Sequence, residues 1–304
     1  MGMLEIAKTV YVDTSPTATN SKKRQKPHAV YDGERIFKVS RLTKLKNVDE
    51  VFIDSLFPEN YNDILRLLRR GVKVYVLKDT RMLKKLRREN NLRKSDEIDS
   101  QLLSMIPREY FRELTAREVE LKIAVRPLVN RYEWIVDKRK ILKQWKNRGY
   151  DYGFGESIRA MDSDRKKIGR EIVEIVSESI YKDVYGRVCS ELQVWDSVEV
   201  AILVLELPLT SGMDKLKSYL GFTPTKNDGR YSHRLRRHLE SIASNIYLNS
   251  YKRKTNIPEE LLETIRSAQS KSIALQKLQL KILKTLRKTW VEVSKEANDK
   301  PAGR

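Results

Sequence analysis

The sequence predicts an α/β fold: a mixed sheet with helices packed on it, followed by a long helical region and a mostly helical C-terminal domain. Three observations lead there. Short apolar runs bounded by turn residues fill the first part of the chain, helical periodicity takes over beyond Pro107, and 40% of the 304 residues are hydrophobic, enough to bury a core.

The run Ile6-Ala7-Lys8-Thr9-Val10-Tyr11-Val12 reads as a central strand that ends at Asp13. Thr14 to Lys26 is polar, contains Pro16 and carries Lys22, Lys23, Arg24 and Lys26, the composition of a basic loop. His28 to Tyr31 and Arg35 to Val39 flank Asp32-Gly33, a hairpin signal. Val48 to Ile53 is another strand, ending at Asp54. Pro58 to Arg70 places Ile64, Leu65, Leu67 and Leu68 on one helical face, and Gly71 stops it. Val72 to Leu77 is a strand, Thr80 to Arg88 a basic helix, and Asp96 to Ile106 a helix that ends before Pro107.

Thr115 to Lys146 has a helical period interrupted by Pro127, with Leu121, Val125, Leu128, Tyr132, Ile135, Ile141 and Leu142 as seam candidates. The glycine- and tyrosine-rich run Gly149 to Gly155 ends it, and a second helix is expected over Asp164 to Ile180. The two pieces suit an antiparallel helical hairpin, a dimer contact, or an ordinary helical subdomain. Further on come the apolar stretch Val194 to Leu209, the segment Met213 to Phe222, and a turn at Asn227-Asp228-Gly229. A helix then carries Arg234, Arg236, Arg237 and His238 opposite Leu235, Leu239 and Ile242. One long helix is expected from Pro258 to Ala297, and the tail Asn298 to Arg304 is expected to be disordered. The expected domains are residues 1–108, a helical or coiled-coil region 109–190, and a helical domain 191–297.

Sixty-one Lys and Arg against 41 Asp and Glu give a formal net charge of +20. That excess favours a polyanionic partner such as DNA or RNA. Lys22, Lys23, Arg24, Arg81, Lys84, Lys85, Arg87, Arg88, Lys94, Arg234, Arg236 and Arg237 are the candidates to bind nucleic acid, and those from Arg81 to Lys94, with Arg93, are placed to meet phosphates beside the acids described next. A single cysteine, Cys189, excludes an internal disulfide and a cysteine-based zinc site and is expected in the core. No signal peptide or apolar run of membrane-spanning length is evident, so a cytoplasmic, nucleoid-associated protein is expected. Scarce Met, His and Cys beside abundant Lys, Arg, Glu and Ile resemble a thermophile's composition.

Asp13 and Asp54 each end a predicted strand, and Asp96 and Asp99 lie three apart at a helix start, so they share a face. Four carboxylates at one sheet edge would repel one another unless cations lay between them, and Mg²⁺ or Mn²⁺ is the natural occupant. Two such ions would activate a nucleophile for phosphodiester cleavage. Acids at strand ends and helix starts are also common for local reasons, since Asp caps helices and Asp96 could do so here.

Leu68-Arg69-Arg70-Gly71-Val72-Lys73-Val74-Tyr75-Val76-Leu77, followed by Lys94-Ser95-Asp96-Glu97-Ile98-Asp99-Ser100-Gln101-Leu102-Leu103, resembles the DEDD transposases. The second segment is similar to their Lys-x-Asp-x-x-Asp-Ala-x-x-Leu-Leu motif, with Ser100 in place of Ala. Leu216 to Pro224 resembles their Leu-Ala-x-Tyr-x-Gly-Leu-x-Pro segment, and Leu235 to Leu239 their arginine-bearing helix. The resemblance implies an RNase H-like (RuvC-like) first domain, a coiled-coil insertion and a C-terminal transposase-like domain. It carries the family's metal-holding acids onto Asp13, Asp54, Asp96 and Asp99, with Asp54 one methylene shorter than the family's glutamate and Glu59, before or inside a helix, as the fallback for it. Its nucleophilic serine corresponds to a displaced Ser232, or has been lost. The glycine-bearing hairpin that grips a DNA backbone in the family is replaced by Leu192-Gln193-Val194-Trp195-Asp196-Ser197. The implied activity is metal-dependent DNA strand cleavage and recombination by a homo-oligomer, with a structured guide RNA as a partner in some members. The alternative is a diverged protein that binds DNA or structured RNA without chemistry, or a junction-resolving nuclease without the serine step.

Overall fold

A computed structural model describes residues 8–15, 26–150, 152–223, 231–252 and 256–299. Ile6, Ala7, the basic side chains Lys22, Lys23 and Arg24, the Asn227-Asp228-Gly229 turn and residues 300–304 lie outside those ranges. The chain divides into two units, Met1–Ala124 and Val125–Arg304.

Unit 1 is a mixed α/β layer structure. Strands β1 (Thr9–Asp13), β2 (His28–Tyr31), β3 (Ile36–Val39), β4 (Glu50–Ile53), β5 (Lys73–Leu77) and β6 (Phe111–Glu113) form one six-stranded sheet in the order β3-β2-β1-β4-β5-β6. β1 pairs antiparallel with β2 and parallel with β4; β4 pairs parallel with β5. The hairpin joining β2 to β3 turns at Asp32-Gly33, where Gly33 has a φ of 98° that a side chain would strain, and the Tyr31 hydroxyl donates to its carbonyl at 2.6 Å.

The central strands are nearly continuous apolar runs because helices cover both faces of the sheet. On one face, Val10, Val12, Val51, Ile53 and Val74 pack with Ile64, Leu65 and Leu67 of α1 (Tyr61–Arg69). On the other, Phe52, Tyr75 and Leu77 pack with Leu83 of α2 (Arg81–Glu89) and with Leu102 and Leu103 of α3 (Asp96–Ser104). The period of two is visible ring by ring: Tyr11, Phe52 and Tyr75 are register partners and stack at 5.3 and 4.7 Å between centroids. Strand β6 was not foreseen. It is three residues long and sits at the sheet's edge, anchored by Phe111 edge-on to Phe52 at 4.9 Å.

Unit 2 is helical. The helix α4 (Ala116–Asn147) begins in unit 1 and carries Pro127 without a break in its assignment. After it come α5 (Phe154–Ser177), α6 (Lys182–Leu192), α7 (Val198–Glu206), α8 (Met213–Tyr219), α9 (His233–Lys252), α10 (Glu259–Arg266) and α11 (Lys271–Asp299). Helix α7 is the centre of the core, with Val200 to Leu205 all buried. Its N-cap is Ser197, whose hydroxyl accepts the Val200 amide at 3.3 Å. Helix α5 starts ten residues before the expected Asp164, and α6 was not foreseen. The expected single helix from Pro258 is two, because Ser270 caps α11 by accepting the Ile273 amide at 3.3 Å. Of the expected seam on α4, Val125, Tyr132 and Ile135 are buried, whereas Ile141 is exposed. Cys189 is buried, and burial pushes its thiol up to about 11. Among the described residues no helix is long and apolar enough to cross a membrane.

Candidate functional site

The carboxyl ends of β1 and β4 are adjacent because the strands are parallel and in register, Val12 opposite Ile53. Asp13 and Asp54 therefore lie side by side, and the Asp54 amide donates to the Val12 carbonyl at 3.3 Å. Helix α3 packs against β1 and β2 and brings its first turn to the same edge. Burial, followed by repulsion from Asp54, Asp96 and Asp99, pushes the Asp13 carboxyl up to about 8, with Lys26 opposing. Burial also raises Asp54, against hydrogen bonds from Thr14 and Ser55. The fold thus brings Asp54, Asp96 and Asp99 within electrostatic reach of Asp13.

The cations that answer this repulsion belong to the protein. Lys26 pairs with Asp96, and Arg87 of α2 pairs with Asp99, whose side chain is buried. Lys38 of β3 meets Glu97 at 2.6 Å, and this lysine holds the Glu97 carboxyl down at about 2. Asp54 accepts the Thr14 amide and hydroxyl, both at 2.7 Å. Among the described residues no group of three or more His, Cys, Asp or Glu side chains could hold a metal ion. The expected Mg²⁺ or Mn²⁺ site at Asp13, Asp54, Asp96 and Asp99 is therefore corrected. The residues do not fit the ion, because three of the four carboxylates already engage protein donors: Asp54 with Thr14, Asp96 with Lys26 and Asp99 with Arg87. The metal-dependent cleavage and recombination built on that ion fall with it, and with them the reading of the chain as a magnesium enzyme.

The local sequence explains why these acids sit where they do. Ser95, not Asp96, caps α3 and accepts the Ile98 amide at 3.1 Å, so Asp96, Glu97 and Asp99 occupy the first turn, where the helix dipole favours negative charge. The partners Thr14, Lys26 and Lys38 were not assigned to these acids from the sequence. Lys26 stood in the basic loop, but nothing in its spacing tied it to Asp96.

The basic side chains divide into engaged and exposed. Arg87 belongs to the acid edge, and Arg81 forms a fork with Asp79, its closest contact 2.7 Å. Lys84, Lys85 and Arg88 stand on the exposed face of α2, opposite Leu83, and Arg93 and Lys94 continue the exposed row after it. Lys85 lies 3.7 Å from Glu89. Asn91, at a φ of 51°, closes α2, and the Leu92 amide donates to the Arg87 carbonyl at 2.8 Å.

In unit 2 the arginines of α9 serve the fold. Arg234 lies between Glu133 of α4, at 2.7 Å, and Glu206 at the end of α7, at 2.9 Å. His238 shares Glu133 at 2.8 Å. Arg236 donates to the Gly221 carbonyl at 2.6 Å and lies over the Phe222 ring, and Arg237 pairs with Asp137 at 2.6 Å. Ser232 precedes α9, and its hydroxyl accepts the Leu235 amide at 3.3 Å, which makes it the helix cap. The neighbouring His233 ring lies 3.8 Å from that of Tyr231, tilted by 38°.

Fold and site together define a mixed α/β protein with a helical C-terminal unit and an acid edge neutralised from within. No family model matches the sequence, and no curated protein matches it as a relative, so sequence kinship supports neither a transposase nor a nuclease assignment.

Proposed function

We propose that this chain binds nucleic acid, DNA or a structured RNA, without cutting it, on an RNase H-like (RuvC-like) scaffold diverged from the DEDD transposases. The scaffold reading draws support from the strand order, with an antiparallel β1-β2-β3 meander beside parallel β1, β4 and β5, and from Lys94-x-Asp96-x-x-Asp99 opening α3. The observation that carries the binding reading is the exposed row Lys84, Lys85, Arg88, Arg93 and Lys94. It stands beside acids whose charge Lys26, Arg87 and Lys38 already offset. Lys85 is partly answered by Glu89, while Lys84, Arg88, Arg93 and Lys94 keep positive potential at the surface, and a phosphate backbone is the ligand such a row suits.

Fluorescence anisotropy of a labelled duplex and a labelled RNA hairpin across a salt series tests this. Affinity is expected to fall steeply with salt, and Lys84→Ala, Arg88→Ala, Arg93→Ala and Lys94→Ala are each expected to reduce the slope of log K against log salt by about one. A slope unchanged in the combined variant overturns the assignment of this surface.

A further inference from the structure

The hairpin of α4 and α5 ends in a cluster of aromatic rings that the packing of unit 2 does not use. The two helices run antiparallel, with Arg131 meeting Asp164 at 3.5 Å and Arg139 meeting Asp162 at 2.6 Å. Helix α4 closes with Gly149 at a φ of 88°, and the Tyr150 amide donates back to the Trp145 carbonyl at 3.1 Å. This cap gives the backbone at the end of α4 a defined path. Trp145 is 48% exposed, Tyr150 56% and Tyr152 78%. Phe154 joins them, its centroid 5.9 Å from Trp145 and 6.0 Å from Tyr152.

Large rings gathered in water at the end of a hairpin call for a partner with flat apolar faces. The charge around them selects which one. Between residues 138 and 156 the chain has six basic side chains and two acidic ones. Lys143 and Arg148, two and three residues from Trp145 along the chain, are exposed. Aromatic faces interleaved with cations are the surface that takes unpaired nucleotides, with bases stacking on the rings and phosphates meeting the lysines and arginines. A protein partner with an apolar face would leave this positive charge unanswered.

We propose that the hairpin tip is a stacking platform for an unpaired stretch of DNA or RNA, with Trp145 and Tyr152 as its principal faces. This deepens the proposed function and rests on it, while using a different surface from α2.

The test measures affinity for a single-stranded oligonucleotide, as DNA and as RNA, beside a blunt duplex of the same sequence. The proteins are the parent chain and its Trp145→Leu, Trp145→Phe and Tyr152→Ala variants, with light scattering for oligomeric state. Trp145→Leu and Tyr152→Ala are each expected to weaken single-strand binding about ten-fold. Duplex binding is expected to stay unchanged, and Trp145→Phe to restore most of the loss. The DNA and RNA arms show which of the two polymers the platform prefers. Duplex and single-strand affinities that match the parent in every variant overturn the platform and leave the α2 surface standing. A parent that binds neither polymer overturns both readings. Variants that change the oligomeric state while single-strand affinity holds overturn the platform in favour of contact between copies of this chain.

Discussion

Replacing Arg234 by Ala is expected to destabilise the chain by about 3 kcal/mol, read as a lowered denaturation midpoint. The guanidinium, about a third of it exposed, sits between Glu133 and Glu206 in unit 2, and both carboxylates are partly withdrawn from water. Burial alone would raise Glu133, but hydrogen bonds from His238 and Arg234 outweigh it and hold the carboxyl below its usual range. Truncation leaves two half-buried negative charges with His238 as the remaining partner, and that uncompensated charge accounts for the cost. Arg234→Lys is expected to recover only part of it, because an ammonium cannot span two carboxylates with a planar fork. A midpoint close to the parent's, together with a ten-fold loss of nucleic-acid affinity, would show that Arg234 faces phosphate instead.

Asp13→Asn is expected to stabilise the protein above pH 8, on the order of 2 kcal/mol once solvent screening is allowed for. Burial and the three neighbouring aspartates raise the Asp13 carboxyl to about 8 from an ordinary 3.8. The folded chain therefore keeps a proton that the unfolded chain releases. Its contribution is fully present below about pH 4 and is lost as pH rises through about 8. Parent stability should decline across that window, and the Asn variant should show a flatter profile. The midpoints of chemical denaturation at pH 5 and pH 9 decide it. An Asn variant less stable than the parent at pH 9 would mean that the ionised Asp13 is stabilised by a cation not accounted for by Lys26.

Much of unit 1 was legible because both faces of its sheet are covered. Val10 to Val12, Val51 to Ile53 and Val72 to Leu77 are near-continuous apolar runs that an exposed sheet would not tolerate, and Asp32-Gly33 marks its turn without tertiary help. Strand β6 escaped notice because Phe111-Arg112-Glu113 is too short for periodicity, and only the facing Phe52 makes it a strand. The split between α10 and α11 depends on Ser270 acting as a cap, a role that a serine within a helical pattern does not announce.

At the acid edge, the strand-end positions of Asp13 and Asp54 and the shared face of Asp96 and Asp99 could be read from spacing. What neutralises them could not. Lys26 comes from the coil before β2, Lys38 from β3 and Arg87 from the preceding helix, so which cation answers which carboxylate is settled by the fold. The arginines of α9 teach the same lesson in reverse. A basic helix face looks like a phosphate surface until Glu133, Glu206 and Asp137 are found against it.

Lys26, Arg87 and Thr14 answer the carboxylates of the acid edge, and under the proposed function nucleic acid is bound without being cut. End-labelled branched and linear DNA, and a folded RNA, incubated with saturating protein in Mg²⁺ or Mn²⁺ and then resolved on native and denaturing gels, test it directly. Retarded bands on the native gel and full-length strands on the denaturing one are expected. Shortened strands that appear with the parent and vanish with both Asp13→Ala and Asp96→Ala would contradict it.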